Sequence, residues 1–315
     1  MNPTVAIVAC RNDIHALAVQ RRYQELFGGT CAIVEADSLA GSNGLTWRSG
    51  RAVQLVPVVG EESIDVSGID AIWYRRAHMP QIVSSDDPDH RQFIDNSCSA
   101  VLHGVLETSF TGTWISPPEA THRAENKINQ LCAAAAAGLA VPRTLISQDP
   151  SEVRDFVSAM NGAVVMKGLR FSKRQPLLTL KVEPHHLLDD AAIRLCPTIF
   201  QEHIPGDRHL RLLCAGDMHA MAVETPALDW RPRLDADARP FDLDAETQRR
   251  VHHLLELLEL RMGVLDFKFR GDEPVFLEIN PQGQFLFMEA MSGMDLTSPL
   301  VRFLHDAARA TRSRR

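Results

Sequence analysis

No stretch of the 315 residues stays apolar over the roughly 18 positions that a membrane-spanning helix needs. The nearest candidate, LCAAAAAGLAV at 131–141, is alanine-rich and too short. A basic leading segment is missing as well: MNPTVAIVACRND lacks the cationic stretch of a secretory signal and reads as a first strand. The cysteines, at 10, 31, 98, 132, 196 and 214, include no C-x-x-C pair. That argues against a zinc ribbon and for a reducing, cytoplasmic setting. Positive charge is in deficit, with 33 Lys and Arg against 40 Asp and Glu and a net charge of −7. A protein that grips phosphate backbones needs the opposite balance, so neither nucleic acid nor a membrane is expected as a partner. No internal repeat and no low-complexity tract stands out beyond the alanine run. What is there is ordinary globular usage, 45% hydrophobic and 23% charged. The chain is long enough for about two domains and for a core that needs neither disulfide nor metal.

The first third alternates strand and helix signals. TVAIVAC (4–10) leads through a turn to the helical spacing of HALAVQRRYQELF, and CAIVEAD (31–37), AVQLVPVV (52–59) and IDAIWYRR (69–76) read as strands. A helix over 89–108 places Phe93, Ser97, Val101 and Val105 in one stripe. The prolines of WISPPEA (114–120) mark a boundary, so residues 1–115 form an expected α/β domain. One helix from Glu119 to Ala137 should follow, and Asp149-Pro150-Ser151-Glu152 opens another. GAVVMKGL (162–169), PLLTLKV (176–182), TIFQEHI (198–204), HLRLLCA (209–215) and MHAMAVET (218–225) are strand-like. A helix from Ala245 to Met262 then precedes two strands, GVLDFKFR and PVFLEIN, and a last helix ends near Ala308 before a fraying TRSRR tail.

The chemistry concentrates in VLDFKFRGDEPVFLEINPQGQ (264–284). Glu278 and Asn280 are two apart, so in a strand both project from one face, and a hairpin can set Asp266 beside them. Two carboxylates and an amide oxygen are hard ligands suited to Mg²⁺; the rival reading is a solvated sheet face with acids protecting its edge. Lys127 in HRAENKINQL and Lys167 at the end of AVVMK suit phosphate, although each taken singly also suits a structural role. Arg170, Lys173 and Arg174 add a local cationic cluster after Lys167. In TIFQEHIPGDRHLR (198–211), Gln201, Glu202, His203 and Ile204 can offer backbone groups to a heterocycle. Arg211 on the next strand can reach a phosphoryl group; a plain hairpin with charged edges is the alternative.

In this order the pieces resemble the ATP-grasp superfamily, and most closely its graspetide (microviridin-type) peptide macrocyclases. The resemblance is carried by IWYRR (72–76), WISPPEATHRAENKINQLCAAAAAGLAVPRT (114–144), IFQEHI (199–204) and FLEINPQGQFLFMEAMSG (276–293). It implies a pre-ATP-grasp α/β domain over 1–115, a central ATP-grasp lobe over 116–198 and a C-terminal lobe with a metal site over 199–315. It also implies that Lys127 and Lys167 meet ATP phosphates and that Gln201, Glu202, His203 and Ile204 form the adenine hinge. Arg211 and Lys167 would serve phosphoryl transfer, with Asp266, Glu278 and Asn280 as Mg²⁺ ligands. Where the family has D-I-R, this chain has His209-Leu210-Arg211, which leaves the duty of the missing acid to His209 or to Asp207 two residues earlier. The glycine-rich loop that covers phosphates in many relatives is absent, and the basic 168–175 stretch takes its place.

The implied reaction is activation of Asp or Glu side chains of a ribosomal precursor peptide as acyl phosphates, closed by Ser, Thr or Lys side chains into ester or amide rings. The leader would dock over 170–200, with Asp189 and Asp190 as candidate contacts, and relatives imply a homodimer. Two other readings share the residues: a ligase for small amino-acid-like carboxylates, and a nucleotide-binding regulator without turnover.

Overall fold

The computed structural model describes residues 2–40, 46–50, 54–55, 64–76, 87–169, 179–228 and 236–315. Within them the chain runs β1 (Val5–Ala9), α1 (Ile14–Phe27), β2 (Cys31–Glu35), β3 (Gln54–Leu55), β4 (Ile64–Asp65), β5 (Ala71–Tyr74), α2 (Pro88–Ser109) and β6 (Thr113–Ile115). Next come α3 (Pro118–Ala124), α4 (Lys127–Ala136), β7 (Thr144–Ser147), α5 (Pro150–Ala159), β8 (Val164–Lys167), β9 (Leu180–Lys181), α6 (Asp190–Arg194) and β10 (Thr198–Glu202). The last part holds β11 (Arg208–Ala215), β12 (Asp217–Glu224), β13 (Asp237–Phe241), α7 (Ala245–Leu257), β14 (Met262–Arg270), β15 (Glu273–Asn280), α8 (Leu286–Ser292) and α9 (Thr297–Arg312).

The first sheet is parallel, in the order β2-β1-β5-β6. Its strands are apolar at nearly every position because both faces are covered. On one face Ile7 and Trp73 pack with residues of α1 and α9; on the other Val8 and Ile72 pack against Leu102, Val105 and Leu106 of α2. The second sheet, β7-β10-β8-β9, is antiparallel and rests on α5 through Val153, Val157, Val164 and Phe200. The third, β13-β12-β11-β14-β15, is also antiparallel. One of its faces packs on α7 through Leu210, Leu212, Leu265 and Leu254, while Leu213, Val264 and Met262 on the other join the core of the first sheet. The third sheet is therefore fixed from both sides.

Several elements differ from the sequence expectation. The helix expected over Glu119–Ala137 is two helices: Asn126 accepts the amides of Ile128 and Asn129 as an N-cap, which ends α3 and starts α4 at Lys127. The helix expected to reach Met262 stops at Leu257, and Glu259 takes φ +56° where the chain turns into β14. Strand β10 pairs with β7 and β8, so the central sheet runs to Glu202 and a division after residue 198 would cut it. Strand β13 carried no strand signal and forms as the edge partner of β12. In α2, Val105 is buried but Phe93 and Val101 are exposed, so the expected stripe meets a core only in its second half. The tail does not fray: Arg315 donates to the Ile69 carbonyl at 3.2 Å and to Thr111 Oγ1 at 3.0 Å, and it lies 3.6 Å from Asp70. Most of AVQLVPVV and the first three residues of PLLTLKV, with Arg170, Lys173 and Arg174, lie outside the described residues. Among the described residues no helix is long and apolar enough to cross a membrane.

Candidate active site

Strand alternation on the third sheet sorts its side chains. On β11, Leu210, Leu212 and Cys214 enter the helix-covered core, which leaves His209 and Arg211 on the opposite face. Register then fixes their neighbours: His209 stands opposite Lys268, Arg211 opposite Asp266, Asp266 opposite Glu278, and Val264 opposite Asn280. A bulge follows Asp266, where Asp266 pairs with Glu278 but Phe267 with Phe276. Such a bulge bends the strand and re-aims the side chains beside it.

Each acid on this face is engaged by a cation. Arg211 Nη1 donates to both Asp266 carboxylate oxygens at 2.7 Å, Nη2 donates to the Gln284 carbonyl at 3.1 Å, and the guanidinium lies 4.8 Å from the Phe287 ring centre. Lys127 Nζ donates to Glu278 Oε2 at 2.7 Å, with the lysine on the first turn of α4. The buried Gln130 holds α4 in place: its Nε2 donates to the Ile279 carbonyl at 2.9 Å and its Oε1 accepts the Ile279 amide at 3.0 Å. The side chain thus acts as a strand partner for β15.

Facing this wall is the second sheet, and between them lies a cleft of about 830 Å³. Lys127, Lys167, Gln201, Glu202, His203, Ile204, His209, Asp266 and Glu278 all line it. Gln201 is buried and donates through Nε2 to Thr144 Oγ1 at 2.9 Å. Glu202 accepts from the Arg143 amide at 3.1 Å and from Arg270 Nη2 at 3.0 Å, so its carboxylate is committed to the protein. The His203 amide donates to the Ala163 carbonyl at 2.9 Å. Burial, with the Lys268 charge behind it, lowers the pKa of His203 and keeps the ring neutral near pH 7. Asp207 is exposed and does not line the cleft; its charge bears instead on Lys268. Arg211 and Asn280 stand behind the cleft lining, Arg211 against Asp266 and Asn280 with its Oδ1 accepting the Gln282 amide at 3.0 Å. Asp189 caps α6 and Asp190 pairs with Arg154 at 2.8 Å, so both are used locally.

The turn after β15 is clamped by the first domain. Arg75, fully buried, donates through Nε to Asp13 Oδ1 at 2.9 Å and through Nη1 to the carbonyls of Gln282 and Gly283 at 2.6 Å each. Gly283 has φ +67°, and a Cβ there would meet the Met262 side chain at 2.7 Å, so only glycine fits without displacement. His15 Nε2 accepts the amides of Phe285 and Leu286 at 3.1 and 3.3 Å, which requires it to be unprotonated. Burial and then the Arg75 charge bring its pKa down to about 4. Burial raises the pKa of Asp13, but the charge and hydrogen bond of Arg75 with the Ala16 amide outweigh it and keep the acid ionised.

Sequence reasoning passed over Lys268, Gln130 and the clamp made by His15 and Arg75, although Arg75 at the end of IWYRR reads either as facing the cleft or as a solvated strand end, and the structure makes it neither. Lys268 was within reach: it is two residues from Asp266, the same spacing that put Glu278 and Asn280 on one face. The other two depend on contacts 149 to 270 residues apart, for which the local pattern carries no signal.

Asp266 and Glu278 are direct cross-strand partners, and Asn280 adds an amide oxygen on the same face. Among the described residues no cluster of three or more His, Cys, Asp or Glu side chains forms a metal site, so the candidate set is this acid pair with the amide. All three offer oxygen alone, which fits Mg²⁺ and disfavours softer ions.

No protein-family model matches the sequence, and no curated protein matches it. Solved structures do. The chain is similar to the macrocyclase MdnC bound with precursor peptide MdnA from Microcystis aeruginosa MRC, with a TM-score of 0.86 and 25% identity over 96% of this chain and 99% of that one. It is similar to a Chryseobacterium gregarium RiPP-associated ATP-grasp ligase in complex with ADP and a leader and core peptide, with a TM-score of 0.84 and 21% identity over 98% and 97%. A third likeness is to the ATP-grasp ligase PsnB complexed with a phosphomimetic variant of a minimal precursor, Mg and ADP, with a TM-score of 0.81 and 20% identity over 98% and 99%. The chain has the ATP-grasp fold, in the form taken by the peptide macrocyclases.

Proposed function

We propose that the chain is an ATP-dependent ligase that activates Asp or Glu side-chain carboxylates of a ribosomal precursor peptide and closes them with Ser, Thr or Lys side chains into ester or amide rings. One observation carries this reading: the cross-strand acids Asp266 and Glu278 line the same cleft as Lys127 of α4 and Lys167 of the facing sheet. The likeness to structures holding precursor peptide, nucleotide and Mg supports the same assignment.

A carboxylate does not condense with an alcohol or amine in water, because hydroxide is a poor leaving group. Transfer of the γ-phosphoryl to the carboxylate makes an acyl phosphate; the nucleophile then attacks the carbonyl and phosphate departs. The protein supplies position and charge. Lys127 and Lys167 hold phosphate oxygens, and residues 201–204 hold the base along the hinge. Arg211 stands behind Asp266, its guanidinium held by that acid and the Gln284 carbonyl, and from there its charge would support the transferred phosphoryl. Asp266, Glu278 and Asn280 would hold Mg²⁺, whose chemistry is to neutralise triphosphate charge and polarise the transferred phosphoryl. The Lys127–Glu278 pair sets this lysine between the acid wall and the phosphates it would hold. Two opposed sheets exclude water from the acyl phosphate. A homodimer and a cytoplasmic location belong to the same proposal.

Incubation with ATP, Mg²⁺ and a precursor rich in Thr or Ser and in Asp or Glu should remove one water per ring by mass spectrometry. Unchanged peptide mass, under conditions where small carboxylates are ligated to amines, would replace this reading with the small-substrate ligase.

A further inference from the structure

Lys268 is the one described lysine whose position the scheme above leaves without a task inside the cleft. Its residue is 6% exposed, it lines the cleft, and it shares a sheet face with Asp266 and His209. Among the described residues no hydrogen bond or ion pair engages its ammonium group; the acid whose charge bears on it, Asp207, is exposed at the turn before β11. Setting an ammonium in a covered site without a bonded anion costs free energy. Such a group is expected where a ligand supplies the anion.

Its place along β14 says which part of a ligand that is. Two residues toward the hinge, Arg270 donates to Glu202; two residues the other way, Asp266 faces Glu278 on the acid wall. Each two-residue step along a strand spans about 7 Å. Lys268 therefore sits midway between the groups assigned to the base and those assigned to the terminal phosphates. We propose that Lys268 is a third nucleotide-binding cation, donating to the α-phosphate of the nucleotide, an assignment that rests on the ATP reading of the cleft. Lys127 and Lys167 then serve the outer phosphates. The cross-strand pairing of His209 with Lys268 also accounts for the histidine at the position of the family acid: a carboxylate there would pair with Lys268 and compete with the nucleotide for its ammonium.

The test compares wild type with Lys268→Met, which keeps the length and apolar stem of the side chain, by titration calorimetry with ADP, ATP and adenosine. Loss of one charge-assisted hydrogen bond should weaken ADP and ATP about tenfold or more, while adenosine binds equally to both proteins. The nucleotide-free melting temperature should rise in the variant, because a covered, unbonded ammonium has been removed; a residue held for structure would lower it. Lys268→Arg, tested alongside, should keep most of the ADP affinity and guards against a misfolded Met variant. Unchanged ADP affinity in Lys268→Met, or an equal loss for adenosine, would overturn the assignment while leaving the ATP reading in place. A wild type that binds neither ADP nor ATP would overturn both.

Discussion

Of the nine residues of β14, all but the last are buried, whereas no residue of β7 is fully buried and both residues of β9 are exposed. Strand β14 belongs to one wall of the cleft, and β7 and β9 belong to the sheet that forms the other. The third sheet has α7 on one face and the first domain on the other, and its turn after β15 is bolted by Arg75 and His15. The second sheet has one small core under it, built on α5. The contrast separates two tasks. In the proposed scheme the acids assigned to a metal and the arginine behind them must be in place before the reaction, and they sit on the wall with the most burial. The wall with Lys167 is the one assigned to admit the nucleotide in that scheme, and its smaller core makes it the wall expected to shift at least free-energy cost.

The largest way to break this contrast is to disarm the rigid wall. Glu278→Gln or Asp266→Asn should lower ADP release in steady-state assays by about a thousandfold, with the circular dichroism spectrum preserved. Normal turnover in either variant would remove the acids from the mechanism. Burial predicts the next effect. Phe267→Ala, in the core under the third sheet, should cost about 4 kcal/mol in urea unfolding, and Phe200→Ala, in the small core under the second, nearer 3 kcal/mol. Equal or reversed costs would show that the two walls are equally packed.

The clamp can be sharpened with pH. His15 has its pKa lowered to about 4, so the unfolded chain takes up the proton first as pH falls. The stability contributed by neutral His15 is complete above the unfolded pKa of about 6.5 and falls by up to about 3 kcal/mol as pH drops toward 4. Arg75, Arg76 and Arg211 oppose the added charge and Asp13 favours it. The difference in unfolding free energy between wild type and His15→Gln should shrink over that window; a constant difference would deny the clamp. The smallest effect belongs to the first domain's surface. Phe93 is 72% exposed, and Phe93→Ser should leave monomer stability within about 0.5 kcal/mol.

Much of the acid wall was legible because it is local. A hairpin over 264–280 needs only alternation and a Gly271-Asp272 turn to set Asp266 opposite Glu278, and the register does so. The parallel sheet of the first domain was readable for the same reason, as short apolar runs separated by helical spacing. The position of Lys127 was harder. ATHRAENKINQLCAAAA reads as unbroken helix, and only the capping preference of Asn126 hints at the break that puts Lys127 on a first turn. The clamp was not legible at all: Arg75 and Gln282 are 207 residues apart, and a buried arginine looks like any strand-end arginine until its acceptors are known. Likewise the basic tail gave no sign that Arg315 would reach Asp70.

The central claim is that cations and acids from two facing sheets form one site for a metal-bound nucleotide. Titration of ATP into wild type, Lys167→Met and the Asp266→Asn/Glu278→Gln double variant, with and without Mg²⁺, addresses it most directly. Wild type should bind ATP more tightly with Mg²⁺ present, Lys167→Met should weaken binding in both conditions, and the double variant should lose the Mg²⁺ dependence. ATP affinity indifferent to Mg²⁺ and to all of these substitutions would contradict the account.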